Sequence, residues 1–160
     1  MATTYRVSRN IEASFIDQLT TNFDADWSGI NTTKSFAKVY EMELPAVCVR
    51  CGVTSHDRAQ LGDNSTIRTA QVLLDFFCTS DGQKLDLLDY TVGKIKGGLI
   101  YYNYEIENGI VKTKTADGRI RIMDIDITHI NFEVDRNTLD KHDRFRALIT
   151  LEVRLSFLEA

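Results

Sequence analysis

A chain of 160 residues with a formal net charge of −4 is long enough to bury a sizeable core, and it has no basic excess that would argue for gripping nucleic acid. Its hydrophobic share of 43% and charged share of 26% are ordinary for a globular protein, and no apolar run is long enough to span a membrane. Three cysteines, an odd number, fit reduced thiols better than a disulfide framework. Residues 1–15 hold no apolar signal core, so the expected compartment is the cytoplasm.

Val7, Ile11, Phe15, Ile16, Leu19 and Phe23 recur at helical spacing and predict an amphipathic helix over residues 6–22, capped by Thr3, Thr4 or Ser8. Its polar face carries Arg9, Glu12, Asp17 and Gln18, and the stripe reads as a helix packed on its own sheet. Residues 24–33 are polar and turn-like around Ser28 and Gly29. Trp27 lies among them, either as a contact residue or as a plug for the open end of the core. Residues 36–42 read as a short strand. After Pro45 a strand is expected over 46–53, with Val47, Val49, Cys51 and Val53 sharing a face. Residues 55–65, with His56, Asp57, Arg58, Gly62, Asp63 and Asn64, form a polar loop long enough to be functional or mobile. The chain returns over 66–78 with Ala70, Val72, Leu74, Phe76 and Cys78 on one face, completing a long hairpin.

Ser80 and Gln83 make a capping-box pattern that opens a helix running to Lys96. Leu85, Leu88, Val92 and Ile95 are its expected stripe, and Gly97–Gly98 its stop. A strand follows over 99–106, with Ile100, Tyr102, Tyr104 and Ile106 on one side, and Asn108–Gly109 is a two-residue hairpin signal. Residues 110–115 return, and Asp117–Gly118 is expected to turn the chain into a long strand over 119–134. In that strand Met123, Ile125 and Ile127 share one phase and Ile130, Phe132 and Val134 the other, which places a bulge at Thr128–His129. A charged loop over 135–144 leads to the closing strand, where Phe145, Ala147, Ile149, Leu151, Val153, Leu155 and Phe157 alternate with mostly polar residues. The pattern describes one domain over residues 1–160. Its fold class is α+β: an antiparallel, strongly bent β-sheet with two α-helices packed on one face.

Chemistry is sparse. Cys48 and Cys51 have C-x-x-C spacing, but they lie in a strand, on opposite faces, with no second pair to complete a metal site. Asp124 and Asp126 share a strand face and are the one carboxylate pair that invites a metal-dependent enzyme reading, although no companion lysine or acid stands at nuclease-like spacing. His142 lies between Asp140 and Asp143 with no nucleophile to serve. No phosphate-binding glycine motif is present. No catalytic residue, metal ligand or cofactor is assigned, and the expectation is a non-enzymatic assembly protein; the alternatives are a metal-dependent enzyme using Asp124 and Asp126 and a small adaptor that takes a peptide along a sheet edge.

The order of parts resembles the tail terminator (tail-completion) proteins of long-tailed bacteriophages. The resemblance rests on the helix over 6–22, the Pro45-Ala-Val-Cys-Val strand and the long strand pair around residues 55–65. It continues in the helix holding Leu85-Asp-Leu-Leu-Asp-Tyr-Thr-Val and in the two closing strands. The hairpin at Asn108–Gly109 is less typical and leaves other neck or tail-tube proteins open. The resemblance implies a hexameric ring at the head-proximal end of the tail tube, in the virion tail or neck, assembled in the host cytoplasm. Its implied partners are copies of itself, the tail tube protein and a head-completion protein, with DNA only in passage and no membrane. On that footing the expected contact residues are Trp27, His56, Asp57, Arg58, Asp63, Arg136, Asp140, Lys141, His142 and Asp143. The expected channel-facing residues are Asp124, Asp126, Glu133 and Glu152.

Overall fold

The computed structural model describes residues 6–27 and 29–159. Thr3, Thr4 and Ser28, named above as caps and turn, lie outside them. Six strands form one sheet in the order β1-β2-β3-β6-β5-β4. The strands are β1 Asn31–Thr33, β2 Ala46–Arg58, β3 Thr66–Cys78, β4 Leu99–Glu107, β5 Ile110–Ile130 and β6 Phe145–Leu155; the helices are α1 Val7–Asp26, α2 Phe36–Val39 and α3 Asp81–Ile95. The sheet is curled into a half-barrel. All pairs are antiparallel except β1 with β2, which is parallel. The fold is α+β as the periodicity implies, but the sheet is mixed.

The α1 stripe is buried as its spacing demands: Val7, Ile11, Phe15, Leu19 and Phe23 are all in the core. Each such side chain taken out of water contributes about 1.5–3 kcal/mol. The helix has no side-chain N-cap bond, and Ser8 instead accepts from Arg68 Nη1 at 2.8 Å. Three polar residues of α1 reach both sides of the curled sheet. Ser14 Oγ accepts from the Tyr102 amide at 3.0 Å, Asn10 Oδ1 from the Tyr104 amide at 3.4 Å, and Glu12 Oε2 from the Cys51 amide at 3.1 Å. Strand β4 is a sheet edge, so α1 blunts that edge by occupying its amides.

The segment expected as a strand over 36–42 is the short helix α2 and a turn. Thr33 Oγ1 accepts the Ser35 amide at 3.1 Å and starts the bend. The Phe36 and Tyr40 rings then meet at 5.9 Å, where a strand would hold them about 13 Å apart. Strand β2 is longer than expected and takes in His56, Asp57 and Arg58, so the polar turn is only residues 59–65. A bulge between Cys51 and Thr54 throws Val53 out of phase, leaving it 77% exposed while Val47 and Val49 are buried. Strand β3 has the expected bounds and the expected buried face.

Helix α3 is capped as predicted: Ser80 Oγ accepts the Gln83 amide at 3.2 Å. Gln83 reaches back one residue further than the motif requires, taking the Thr79 amide at 2.8 Å. Its buried face is rotated from the expected stripe and holds Lys84, Leu87, Leu88, Thr91 and Ile95, with Leu85 half-exposed. α1 and α3 share the concave face and its core, while α2 covers a second, small cluster of Val39, Ala46, Cys48 and Phe77 on the opposite face.

The core face of β4 is Leu99, Tyr101 and Asn103; on the other side Ile100, Tyr102 and Ile106 are half-buried and Tyr104 is buried. Asn108 and Gly109 make the expected tight turn, with φ of 53° and 78°. No turn occurs at Asp117–Gly118. β5 runs through as one strand, and Gly118, at φ 101°, takes a conformation a side chain would resist; a Cβ there would stand 2.8 Å from the Phe157 ring. The bulge in β5 falls between Ile122 and Asp124 rather than at Thr128–His129, and β5 ends at Ile130, leaving Phe132 and Val134 outside the sheet and exposed. β6 alternates as read, with Ala147, Ile149, Leu151, Val153 and Leu155 buried.

Candidate assembly surfaces

Strand register decides which carboxylates stand together. Asp124 lies across from Glu152, and Asp126 across from Thr150, in the β5–β6 pair. Glu152 lies across from Gln71 in the β6–β3 pair. Asp124, Asp126 and Glu152 therefore share the convex face, are all exposed, and line a shallow hollow with Gln71, Thr69 and Thr150. α2 covers only the far end of this face. Among the described residues no ion-pair partner stands against any of the three carboxylates. The next row is a like-charge pair of the other sign, Arg121 across from Arg154, with Arg154 Nε donating to Thr69 Oγ1 at 3.1 Å. Like charges directly opposite weaken a sheet, so this face spends fold stability on its charge pattern. Glu133, expected beside them, lies beyond the end of β5 and is not part of the hollow.

The two expected contact loops lie at opposite ends of the sheet. β3 runs from Thr69 opposite Arg154 to Cys78 opposite Phe145, so the turn over 59–65 sits beside the end of β6 and the loop over 131–144 beside its start. At the first end His56, Asp57 and Arg58 are exposed strand residues, paired to Arg68, Ile67 and Thr66. Asp63 is a turn-former: Oδ1 accepts the Ser65 amide at 3.0 Å and Oδ2 accepts from Gln60 at 3.0 Å. Those donors, the Ser65 amide first, hold its carboxyl below the ordinary range. Leu61 at the tip is fully exposed.

At the other end two 3-10 turns, Arg136–Thr138 and Lys141–Asp143, replace an open loop. His142 is 3% exposed. Its Nε2 lies 2.8 Å from the Met42 carbonyl oxygen and its Nδ1 2.7 Å from Asp140 Oδ1. It therefore anchors the loop and is not an outward contact, which corrects the expectation. Asp140 also accepts the His142 amide at 2.9 Å, and that bond leads the depression of its carboxyl pKa. Asp143 accepts from the Tyr40 hydroxyl at 2.7 Å, and with that contact burial pushes the Tyr40 phenol up to about 12. Arg136 pairs with Asp81 at 2.9 Å and lies over the Phe145 ring. Asp140, Lys141 and Arg136 remain exposed at the surface.

Beneath this loop lies a network that the sequence did not announce. Asp75 is 2% exposed and accepts from Arg50 Nη2 at 2.5 Å, with Arg146 Nη2 at 3.6 Å. Arg146 stacks on Phe77 and Phe36. Only the alternation of β3 and β6, which sends Asp75 and Arg146 to the same face, could have signalled it.

Trp27 is half-buried, packs against the core and meets Tyr90 edge-on at 5.8 Å. Cys48 and Cys51 do sit on opposite faces, and burial pushes the Cys48 thiol up to about 11 and that of Cys78 up to about 12. Among the described residues no three His, Cys, Asp or Glu side chains are grouped to hold a metal ion. Among those residues, too, no helix is long and apolar enough to cross a membrane.

No protein-family profile matches the chain. Residues in a stretch of 91 are 28% identical to S-adenosylmethionine decarboxylase proenzymes of Clostridium beijerinckii and of Clostridium botulinum, a stretch covering 57% of this chain. The match spans about a third, 32%, of each relative's length. Among solved structures, a chain from the virion of a native gene transfer agent particle overlays 94% of this chain and 96% of its own, at 11% identity and a TM-score of 0.46. None of these likenesses assigns the chain to a family.

Proposed function

We propose that the chain is a structural subunit of a phage-type virion, one copy of a ring at the head-proximal end of a tail tube. In this reading the ring, six-fold in the family the sequence resembles, ends growth of the tube and presents the joint to a head-completion protein. The observation that carries the reading is the uncovered convex face on which Asp124, Asp126 and Glu152 stand together without an ion-pair partner. Carboxylates in a channel wall repel phosphate and leave DNA free to move. The two projecting ends of the sheet supply two separate docking surfaces, one toward the tube and one toward the head. Arg58 and Asp57 mark one end, and Lys141, Asp140 and Arg136 the other. A heterologous contact between copies closes into a ring when its rotation closes.

The test is negative-stain imaging of the purified protein alone and mixed with purified tail tubes. Rings, or caps confined to one tube end, are expected. A strictly monomeric mass at high concentration, with bare tube ends, overturns the reading.

A further inference from the structure

Strand β5 is paired on opposite edges along its two halves. Its first half pairs with β4, the last partner being Ile120 opposite Leu99. Its second half pairs with β6, beginning again at Ile120, opposite Leu155. Each half therefore has one edge with no strand beside it. Residues 121–130 are open on the side that β4 has left. Residues 110–117 are open on the side that β6 never reaches, since the chain after β6 turns away to pair Glu159 with Thr66. Both halves are accessible: every residue of 110–117 except Asp117 is exposed, as are seven of the ten in 121–130. The edge of β4, by contrast, is closed by Ser14 and Asn10 of α1. Natural sheets blunt or cover their edges, and a long open edge is a template for another strand.

We propose that the open edge at residues 121–130 receives residues 110–117 of a second copy of this chain. The inference rests on the ring reading and names its contact. The two open segments are of similar length and lie on opposite edges of the same strand, so the contact is heterologous and propagates from copy to copy. Their charges are complementary. The projecting arm carries Lys112, and Lys114 that is already held by Asp17 at 3.1 Å and by the Tyr102 ring, against one carboxylate, Asp117, while the open edge carries Asp124 and Asp126 against one arginine, Arg121. Lys112 is well exposed and its one ion pair, to Glu107, is at the surface, so it can exchange partners at little cost. The apolar surface is matched as well. Ile110 and Val111 on the arm are 72% and 54% exposed, and Met123 and Ile127 on the edge 52% and 42%. Main-chain bonds would supply the affinity, and a single bridge from Lys112 to Asp124 or Asp126 the steering and the choice of partner, which leaves Glu152 and the other carboxylate facing the channel.

The experiment uses an equal mixture of unlabelled and ¹⁵N-labelled protein, treated with a zero-length carbodiimide, together with amide hydrogen exchange on the assembled and the dilute protein. Expected are cross-linked peptides joining Lys112 of one isotope to Asp124 or Asp126 of the other. Amide exchange in both segments should slow by roughly tenfold or more on assembly, as main-chain bonds close. Assembly with no mixed-isotope link and unchanged exchange in both segments overturns this contact and leaves the ring reading standing. Failure to assemble at any concentration, with purified tube ends left bare, overturns the ring reading and this contact with it.

Discussion

Glu12 of α1 accepts the main-chain amide of Cys51 at 3.1 Å, across the inside of the curled sheet. Cys51 opens the bulge of β2, where the register slips against β3. A bulge leaves an amide without its ladder partner, and here a helix carboxylate takes the place of the missing strand. With Ser14 and Asn10 on β4, this contact makes α1 the piece that holds both margins of the half-barrel.

Glu12→Ala should therefore cost about 1–3 kcal/mol, the penalty for an amide left unpaired in a half-buried place. Urea unfolding of the two proteins measures it. A loss indistinguishable from zero would mean that water serves the Cys51 amide equally well.

The strand and helix phases make a paired prediction. Leu151 is wholly buried in β6, and Leu151→Ala should cost about 2–5 kcal/mol. Leu85 is 52% exposed on α3, and Leu85→Ala should fall within about 0.5 kcal/mol of the parent. Equal losses at the two sites would show the α3 face to be misplaced.

Replacing Asp143 tests the loop over 131–144. Its carboxylate takes the Tyr40 hydroxyl and stands 3.5 Å from Arg146 Nη1, so Asp143→Ala should destabilise the fold by about 1–3 kcal/mol. Lys141, exposed on the same loop, makes no such tie, and Lys141→Ala should leave the melting temperature unchanged while weakening docking. Thermal melts and tube-capping counts separate the two effects. The reverse pattern would make Lys141 the structural residue.

Alkaline pH should unfold the protein progressively. The thiols of Cys48 and Cys78 ionise at about 11 and about 12 in the fold, against 9.0 for a free thiol, with burial as the leading cause. The phenols of Tyr40 and Tyr90 ionise at about 12 against 10.0, from burial and from the carboxylates of Asp143 and Asp26 beside them. Above pH 9 the unfolded chain releases protons that the folded chain retains, so stability falls as pH rises from about 9 toward about 12. Denaturation midpoints across that range check the slope. A flat profile would mean that these groups are open to solvent.

Local periodicity was enough to read most of the elements. The α1 stripe, the start of β2 and the whole of β3, the Ser80 cap, the Asn108–Gly109 turn and the alternation of β6 all follow from side-chain spacing and turn chemistry, which act within a few residues. Asp124 and Asp126 could be placed on one strand face for the same reason.

What spacing could not reach was anything set by a neighbour distant in the chain. Residues 36–42 became a short helix and a turn, in which Phe36 and Tyr40 close on Phe77. The β5 bulge moved to Met123 because the partner strand sets the register, and a period of two does not say where an extra residue is absorbed. His142 left the surface because Met42, a hundred residues earlier, offers it a carbonyl. The grouping of Glu152 with Asp124, and the two open edges of β5, exist only once β3, β6, β5 and β4 lie side by side. Composition and spacing determined an α+β chain of long strands. Tertiary pairing alone decided which faces and edges remain open, because an edge is defined by the strand that is not beside it.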